Sequence, residues 1–341
     1  MSLGETVCQD GKCRRSARSS ADNSQIGHIS VPNCAWLGGA GKLSLWSPAC
    51  TKRMPPPSTQ SFPAFKRNSP VTDEFRPAHR FYQVAGKIGP ARYFPTEKEI
   101  IMNIAKKNVL ITGANRGIGR ALVEEALRRD AQRVYAGTRG PFEHSDERVV
   151  PITLDVTKAE QIQRAVSEIS TLDVLINNAG IALYDDLSKP EVIEQQLAVN
   201  LFGPLSVIRA FLPLLRRSKG AIVNNISTVA LAALPVVSGY SISKAALLSM
   251  TQSLRALLAN QGVTVHAILT GPVDTDMNRG FDIPKASPEF AATAIFDGLE
   301  KGEEEIFPDP MSQSIAEGWR NGVAKAMERQ VAGFVPECVA L

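Results

Sequence analysis

The fold is decided by residues 109–119, which read VLITGANRGIG. A short apolar strand is followed by Gly113, Gly117 and Gly119, and an amphipathic stretch begins at Ile118. Because glycine has no Cβ, backbone N–H groups at the start of a helix can come close to a diphosphate. The position of this loop between a strand and a helix therefore predicts a dinucleotide site.

Downstream of this loop, apolar strands alternate with amphipathic helices. The pattern predicts strands at residues 109–112, 134–138, 149–154, 172–177, 221–226, 263–269 and 305–308, and helices at residues 118–129, 159–169, 191–217 and 240–260. Strands that are apolar on both faces belong to a parallel sheet covered by helices. We therefore predict a single α/β domain of the doubly wound Rossmann type, with a parallel sheet flanked by helices, over residues 102–341.

Residues 1–101 differ from the rest in composition. They hold 10 of the 22 prolines and show no sustained apolar period. Such a stretch buries too little apolar surface to offset its ordering entropy, so we predict a long disordered N-terminal extension. Arginines among serines at residues 14–18 leave a targeting peptide open, although acidic residues precede them. A third interpretation places the translation start at Met102, directly before the first strand.

Charge and cysteine usage restrict the class of protein. Residues 1–101 carry 14 Lys and Arg against 7 Asp and Glu, whereas residues 102–341 carry 24 against 27. A catalytic region that is not basic argues against nucleic acid as a partner. The five cysteines all lie within residues 1–50 or at residue 338, so they form neither a core disulfide framework nor a zinc spacing. We expect a reducing, cytoplasmic location, no metal, and no membrane span, because no apolar run approaches ~20 residues.

Ser227, Tyr240 and Lys244 are candidate catalytic residues. A spacing of four places Tyr240 and Lys244 on one face of a helix. A phenol titrates near pH ~10, and a neighbouring ammonium favours its anion. We therefore expect Lys244 to make Tyr240 a proton donor and acceptor that works near neutral pH.

The residues after the second strand predict which dinucleotide binds. NAD sites place an acid about 20 residues after the glycine loop, but here Thr138 and Arg139 occupy that position, and Arg116 lies in the loop. Guanidinium groups pair phosphate oxygens bidentately, so we predict NADP(H) over NAD(H), while a solvated surface role for either arginine stays open. Asp155 either accepts a hydrogen bond from the adenine amine or caps the helix near Ala159.

Taken together, these motifs resemble the short-chain dehydrogenase/reductase family over about residues 106–308. The resemblance is carried by residues 112–119, 155–156, 177–180, Asn200, Ser227 and residues 240–244. It implies that Tyr240 exchanges a proton with the substrate oxygen and that Ser227 orients this oxygen. It also implies that Lys244 holds the nicotinamide ribose and that Asn200 anchors a water in a proton relay.

The resemblance also implies the cofactor contacts. These are Gly113, Asn115, Arg116, Gly117, Ile118, Gly119, Arg139, Asp155, Val156, Asn178, Ala179, Gly180, Tyr240, Lys244, Gly271, Val273 and Thr275. The chain departs from the family pattern in three places. Thr270 stands where the family usually has proline, the connection over residues 139–148 is short, and no glycine-rich terminal strand follows residue 309.

Apolar connections indicate the kind of substrate. Residues 181–184 and 229–237 are apolar, and residues 277–284 lie where the family has a mobile lid. We predict a small, apolar carbonyl or alcohol substrate, although these residues could instead pack on each other or on a partner subunit. The helix over residues 240–260 is apolar on most sides, which predicts a homo-oligomer, dimer or tetramer, with packing inside one chain as the alternative.

Two functions are consistent with these motifs. The first is an NADP(H)-dependent oxidoreductase that moves hydride between the nicotinamide and a carbonyl compound or alcohol. The alternative is an NADP(H)-sensing regulatory protein with little turnover. Regulators on this fold typically lose the Tyr or the Lys, and this chain keeps both.

Overall fold

The computed structural model describes residues 102–335, and the expectations for residues 1–101 lie outside them. The strands of the described part are β1 (Asn108–Thr112), β2 (Arg133–Thr138), β3 (Val149–Thr153), β4 (Val174–Asn177), β5 (Ala221–Asn225), β6 (Thr264–Ile268) and β7 (Glu305–Ile306). They form one parallel sheet in the order β3-β2-β1-β4-β5-β6-β7. This topology confirms the predicted doubly wound Rossmann-type fold.

Helices cover both faces of the sheet. They are α1 (Gly117–Arg128), α2 (Ala159–Glu168), α3 (Pro190–Leu197), α4 (Gly203–Ser218), α5 (Ser238–Leu258), α6 (Pro288–Glu300), α7 (Pro310–Arg320) and α8 (Val323–Val331). Helices α1 and α6 pack in one apolar cluster, and α2, α4 and α5 pack in another on the opposite face. Successive residues of β1 show this division, because Val109 and Ile111 join the first cluster and Leu110 joins the second.

Two helical features were not predicted. The long helix expected over residues 191–217 contains a π-helical turn, Ala198–Phe202, between α3 and α4. Helix α6 was not predicted, although the sequence marks its start with an N-cap residue and a proline. The Ser287 side chain accepts a hydrogen bond from Phe290 N (3.1 Å), and Pro288 is the first residue of the helix.

The stretch from α3 to α4 differs from the expectation that no apolar run is long enough to span a membrane. Together with the π turn it forms a helix of 29 residues, Pro190–Ser218, that is long and apolar enough to cross a membrane by length and composition alone. We predicted no such stretch. Its residues Val207, Ile208 and Phe211 are buried in the cluster beneath the sheet. Core packing therefore accounts for its apolar character.

Helix α5 buries one side and exposes the other, although its sequence is apolar on most sides. Its buried residues include Leu247, Leu248 and Leu254, which pack toward the sheet and the π turn. The opposite side exposes Ile242, Ala245 and the serines at residues 249 and 253. The outward stripe is thus made of small and moderately apolar side chains.

Candidate active site

A crevice opens where the strand order reverses. Strand β1 pairs with β2 on one side and β4 on the other, so the connections after β1 and β4 leave toward opposite faces. The predicted cofactor residues lie at these carboxyl ends. They are residues 113–119 after β1, Arg139 after β2, Asp155 and Val156 after β3, residues 178–180 after β4, and Gly271, Val273 and Thr275 after β6.

The glycine loop is packed too tightly for side chains. Gly113 and Gly117 have φ angles of +68° and +51°, in the left-handed region that favours glycine. A Cβ on Gly113 would lie 2.9 Å from Ala179 Cα, and one on Gly119 would lie 2.0 Å from Gly113 O. A Cβ on Gly117 would lie 3.0 Å from Thr275 Cγ2. The loop is therefore held between the segments that follow β4 and β6.

The start of α1 fits a dinucleotide diphosphate. Arg116, at the N-cap, makes no side-chain capping bond, and the first turn contains no acidic residue. The first backbone bond returning to the N-cap carbonyl comes from Arg120 N (3.2 Å), which leaves the earlier N–H groups available. Uncapped N–H groups and the positive end of the helix dipole favour an anion at this position.

The three candidate catalytic residues come together beside this loop. Ser227 follows β5 and is buried, and Tyr240 is a half-buried residue in the first turn of α5. Lys244, only 4% exposed, donates a hydrogen bond from Nζ to Asn225 O (2.7 Å). Its Nζ lies 5.6 Å from the centre of the Tyr240 ring.

Burial controls the proton affinities of this pair. It raises the pKa of Tyr240 to about 12, and hydrogen bonding with Ser227 acts in the opposite direction. Burial lowers the pKa of Lys244 to about 8. We expected the charge of Lys244 to lower the pKa of Tyr240; instead burial raises this pKa, and the opposing effect comes from the hydrogen bond with Ser227. Each group is therefore held toward its neutral form.

Asn200 lies in the π-helical turn and is fully buried. Its Nδ2 donates to Ile181 O (2.8 Å) and to Ser243 Oγ (2.9 Å), and its Oδ1 accepts from Ile181 N (2.9 Å). The side chain thus ties the segment after β4 to α5. π-Helical turns are often found at functional sites, and here the turn presents Asn200 to the catalytic helix.

Asp185 is a site residue that sequence reasoning missed. Its carboxylate oxygens accept hydrogen bonds from Gly239 N at 3.1 and 2.8 Å, in the first turn of α5. The N-cap residue Val237 has no side chain able to do this, and it makes no cap bond. Asp185, in the loop after β4, therefore caps the helix that carries Tyr240. The N–H group that it accepts from belongs to Gly239, the residue before Tyr240.

The predicted adenosine-binding residues occupy the other end of the crevice. Arg139 is exposed. Burial acts to raise the pKa of Asp155, but the hydrogen bonds from Thr157, together with the charge of Arg139, lower it. Asp155 Oδ1 accepts from Thr157 N (2.9 Å) and Thr157 Oγ1 (2.7 Å). The N-cap of α2 is Lys158, so the helix-cap interpretation of Asp155 was wrong.

Arg116 faces the loop after β6. Its Nη1 lies 2.9 Å from Asp276 Oδ2, and Arg279 pairs with the other oxygen of the same carboxylate. The Arg116 and Asp276 side chains are 66% and 43% exposed. A phosphate that binds Arg116 would therefore compete with an exposed carboxylate.

Comparison with known proteins identifies the family. Residues 107–285, just over half of the chain, match the family model described as short chain dehydrogenase. The chain belongs to the short chain dehydrogenase family.

Curated relatives include estradiol 17-beta-dehydrogenase 2 of Mus musculus. It is 34% identical over 208 residues, which cover 56% of this chain and 54% of that protein. The matched region therefore spans about half the length of this relative.

Solved structures of other proteins share the fold. A short chain dehydrogenase from Burkholderia cenocepacia, in complex with NADP, is 38% identical with a TM-score of 0.62, covering 69% of this chain and 100% of that one. ElxO with NADP bound is 25% identical with a TM-score of 0.56, covering 61% and 99% of the two chains.

Thr270, which stands where the family usually has proline, forms a side-chain hydrogen bond that a proline could not make. Thr270 is 5% exposed, and its hydroxyl donates to Asn225 Oδ1 (2.8 Å). The next residue, Gly271, donates its N–H to Asp309 Oδ2 (2.7 Å), and Asp309 also caps α7. The loop after β6 is thus fixed by a side-chain hydroxyl on one side and by the C-terminal helices on the other.

Proposed function

We propose that this short chain dehydrogenase is an NADP(H)-dependent oxidoreductase that interconverts an apolar ketone or aldehyde with the corresponding alcohol. The observation that carries the proposal is the placement of Ser227, Tyr240 and Lys244 beside an uncapped helix N-terminus at the switch point of the sheet. An acid, its orienting hydroxyl and a cation next to a diphosphate site suit a reaction in which hydride and proton are added separately.

NADP(H) is the proposed cofactor. The Burkholderia cenocepacia enzyme and ElxO both have NADP bound. In this chain Arg116 and Arg139 would hold the 2′-phosphate, and residues 113–119 would hold the diphosphate through backbone N–H groups. When bound, the nicotinamide supplies or accepts the hydride.

The side chains of the chain supply the remaining chemistry. In reduction, Tyr240 donates its phenolic proton to the substrate oxygen, and its raised pKa keeps that proton available at neutral pH. Ser227 donates a hydrogen bond that orients the same oxygen. Lys244, fixed by Asn225 O, supplies a positive charge close to the phenol. Asn200 orders the segment after β4 beside them.

An apolar substrate is supported by the side chains around the crevice mouth. Tyr184 and Leu187 after β4, and Met277 and Ile283 after β6, are between 45% and 69% exposed. The Tyr184 ring stacks on Phe281, with centroids 6.2 Å apart, so that the two loops meet. Apolar side chains left exposed at a crevice suit an apolar ligand.

The deciding experiment removes the phenolic proton. NADPH oxidation would be followed with a panel of apolar ketones and aldehydes, for the wild type and for Tyr240→Phe. We expect a loss of at least about 100-fold in turnover, as general acids contribute 10²–10⁴-fold, with NADPH affinity little changed. Tyr135→Phe, which removes a hydroxyl from a buried residue of β2, is the matched control and should retain activity.

The outcomes separate the two functional hypotheses. Equal turnover of wild type and Tyr240→Phe would show that another group donates the proton. Tight NADPH binding without turnover of any substrate would favour the NADP(H)-sensing regulatory protein instead.

Assembly and location are parts of the same proposal. The outward stripe of α5 and the exposed Phe202 of the π turn favour a second copy of the chain as partner, forming a homodimer. Light scattering of wild type beside Ile242→Glu tests this, since a charge in the contact should yield monomers.

The cysteine distribution supports a cytoplasmic location, which fluorescence microscopy of a tagged full chain would test.

A further inference from the structure

Three neutral side chains, those of Asn178, Asn225 and Thr270, form a hydrogen-bonded series across the crevice floor that ends on the backbone carbonyls of Thr112 and Gly113. Thr112 ends β1, Asn178 follows β4, Asn225 ends β5 and Thr270 follows β6. These strands are consecutive neighbours in the sheet. Asn178 Nδ2 donates to Thr112 O (3.1 Å) and Gly113 O (3.2 Å), Asn225 Nδ2 donates to Asn178 Oδ1 (3.0 Å), and the Thr270 hydroxyl donates to Asn225 Oδ1 (2.8 Å).

The direction of this series follows from its first members. The carbonyls of Thr112 and Gly113 only accept hydrogen bonds, so Asn178 must present its NH₂ group to them. Its Oδ1 then faces Asn225, which must donate through its own NH₂ group. The remaining oxygen of Asn225 faces Thr270, which must donate. A hydroxyl at residue 270 therefore completes a chain with one allowed orientation.

Asn225 also holds the catalytic cation. Its backbone carbonyl accepts the hydrogen bond from Lys244 Nζ (2.7 Å), while its side chain supports Asn178. The carbonyl belongs to the last residue of β5, which pairs with β6, whereas the side-chain amide is held by its two hydrogen bonds, one to Asn178 and one from Thr270. Asn225 thus contacts Lys244 through its backbone and Asn178, beside the glycine loop, through its more mobile side chain.

We propose that Thr270 is a positioning residue, whose hydroxyl fixes the Asn225 and Asn178 amides and so the glycine loop that receives the cofactor. The inference rests on the proposed function in one respect, namely that the glycine loop binds NADP(H). Without the hydroxyl, Asn225 Oδ1 loses its donor in a partly buried place, and the amide is held only by its bond to Asn178. The carbonyls of Thr112 and Gly113 then have a less ordered partner in Asn178.

The test compares three variants in NADPH titrations without substrate. Thr270→Val keeps the shape and removes the hydroxyl, and Thr270→Ser keeps the hydroxyl. Thr171→Val is the matched control, because the Thr171 hydroxyl also meets an asparagine amide, Asn108 Nδ2 (2.9 Å), at the first residue of β1. We expect Thr270→Val to weaken NADPH binding about tenfold, which is about 1.4 kcal/mol, while Thr270→Ser and Thr171→Val stay near wild type.

Two further readouts separate positioning from general destabilisation. In the free protein, the side-chain amide NMR signals of Asn225 and Asn178 should shift in Thr270→Val and not in Thr171→Val. At saturating NADPH, turnover of Thr270→Val should remain close to wild type, because the carbonyl that holds Lys244 belongs to the backbone. Should Thr270→Val not fold, Thr270→Ala removes the same hydroxyl with a smaller side chain.

Unchanged NADPH affinity in Thr270→Val, or an equal loss in Thr270→Ser, would overturn the inference. Equal losses in Thr270→Val and Thr171→Val would do the same. A wild type that binds NADPH and reduces nothing would refute the proposed function while leaving the role of Thr270 intact.

Discussion

The crevice floor and the attachment of the C-terminal helices are held together by different kinds of interaction. On the crevice floor, the Thr270 hydroxyl and the Asn225 and Asn178 amides bond in series, and the buried charge beside them is Lys244. In the attachment of α8, Lys325 is 2% exposed and lies 2.6 Å from Glu304, 2.9 Å from Glu305 and 3.1 Å from Glu328.

This difference shows what each region must do. Neutral groups orient a loop without adding charge that would compete with the phosphates of a nucleotide. Ion pairs hold distant segments strongly once their partners are in place, and removing one partner leaves the others buried and uncompensated. A cluster of ion pairs therefore holds the structural junction, whereas neutral hydrogen bonds orient the amides of the crevice floor.

The largest expected effect is on stability. Lys325→Met removes a buried cation that pairs with the buried Glu305 and with the partly exposed Glu304 and Glu328, and it should lower the free energy of unfolding by about 3 kcal/mol. Thermal denaturation would measure this, with Lys301→Met, an exposed lysine after α6, as the control. Activity per folded molecule should change less than about twofold. An unchanged melting temperature would show that the remaining Arg255, 2.9 Å from Glu305, is sufficient.

The second effect is pH dependence of the reduction. Lys244 has a pKa lowered to about 8, so it loses its charge as the pH rises through that value. We expect kcat/KM for NADPH, which reports the groups of the free enzyme, to fall about tenfold per pH unit above the pKa, reaching about 100-fold near pH 10. Lys244→Arg keeps its charge in this range and should give a flat profile, even at a lower plateau. A decline that begins near pH 10 in the wild type would contradict the lowered pKa.

A smaller effect is expected from the cap on α5. Asp185→Ala removes the acceptor of Gly239 N and should lower the free energy of unfolding by about 1 kcal/mol, the usual contribution of a helix cap, which thermal denaturation would measure. Asp185→Asn keeps one acceptor oxygen and should restore most of this stability. Asp186→Ala is the matched control, since this neighbouring carboxylate bonds Ser188 N in the same loop. The capping role fails if both alanine variants behave alike.

The smallest effect concerns cofactor selectivity. Asp276→Asn removes the charge that pairs with Arg116 and should improve NADPH affinity by about two- to threefold, with NADH unchanged, because exposed ion pairs contribute 0–1 kcal/mol. Asp274→Asn, an exposed acid two residues earlier, is the control. An equal gain for NADH would mean that Arg116 does not meet the 2′-phosphate.

The sequence predicted the sheet because its strands are short, apolar runs bounded by turn residues. The π-helical turn was not predictable, since the apolar period continues from α3 into α4 without a break. Helix α6 was detectable from Ser287, Pro288 and the spacing of Ala292, Ile295 and Phe296, and this signal was overlooked.

The missed site residues share a physical cause. Asp185 caps a helix that begins 53 residues later, and Thr270 bonds an asparagine 45 residues away. Capping rules examine the residues next to a helix, and such partners become neighbours only when parallel strands align their carboxyl ends. The departure at Thr270 was visible in the sequence, whereas its partner was not.

Asp309 gives the C-terminal helices an influence on the crevice. One carboxylate accepts from Gly271 N (2.7 Å) and from Ser312 N (3.0 Å), so the loop after β6 and the start of α7 share an anchor. Truncating the chain before residue 310 would strip away the segment that orders this anchor. Shortened versions made for engineering should therefore keep α7, even though it contributes none of the reacting groups.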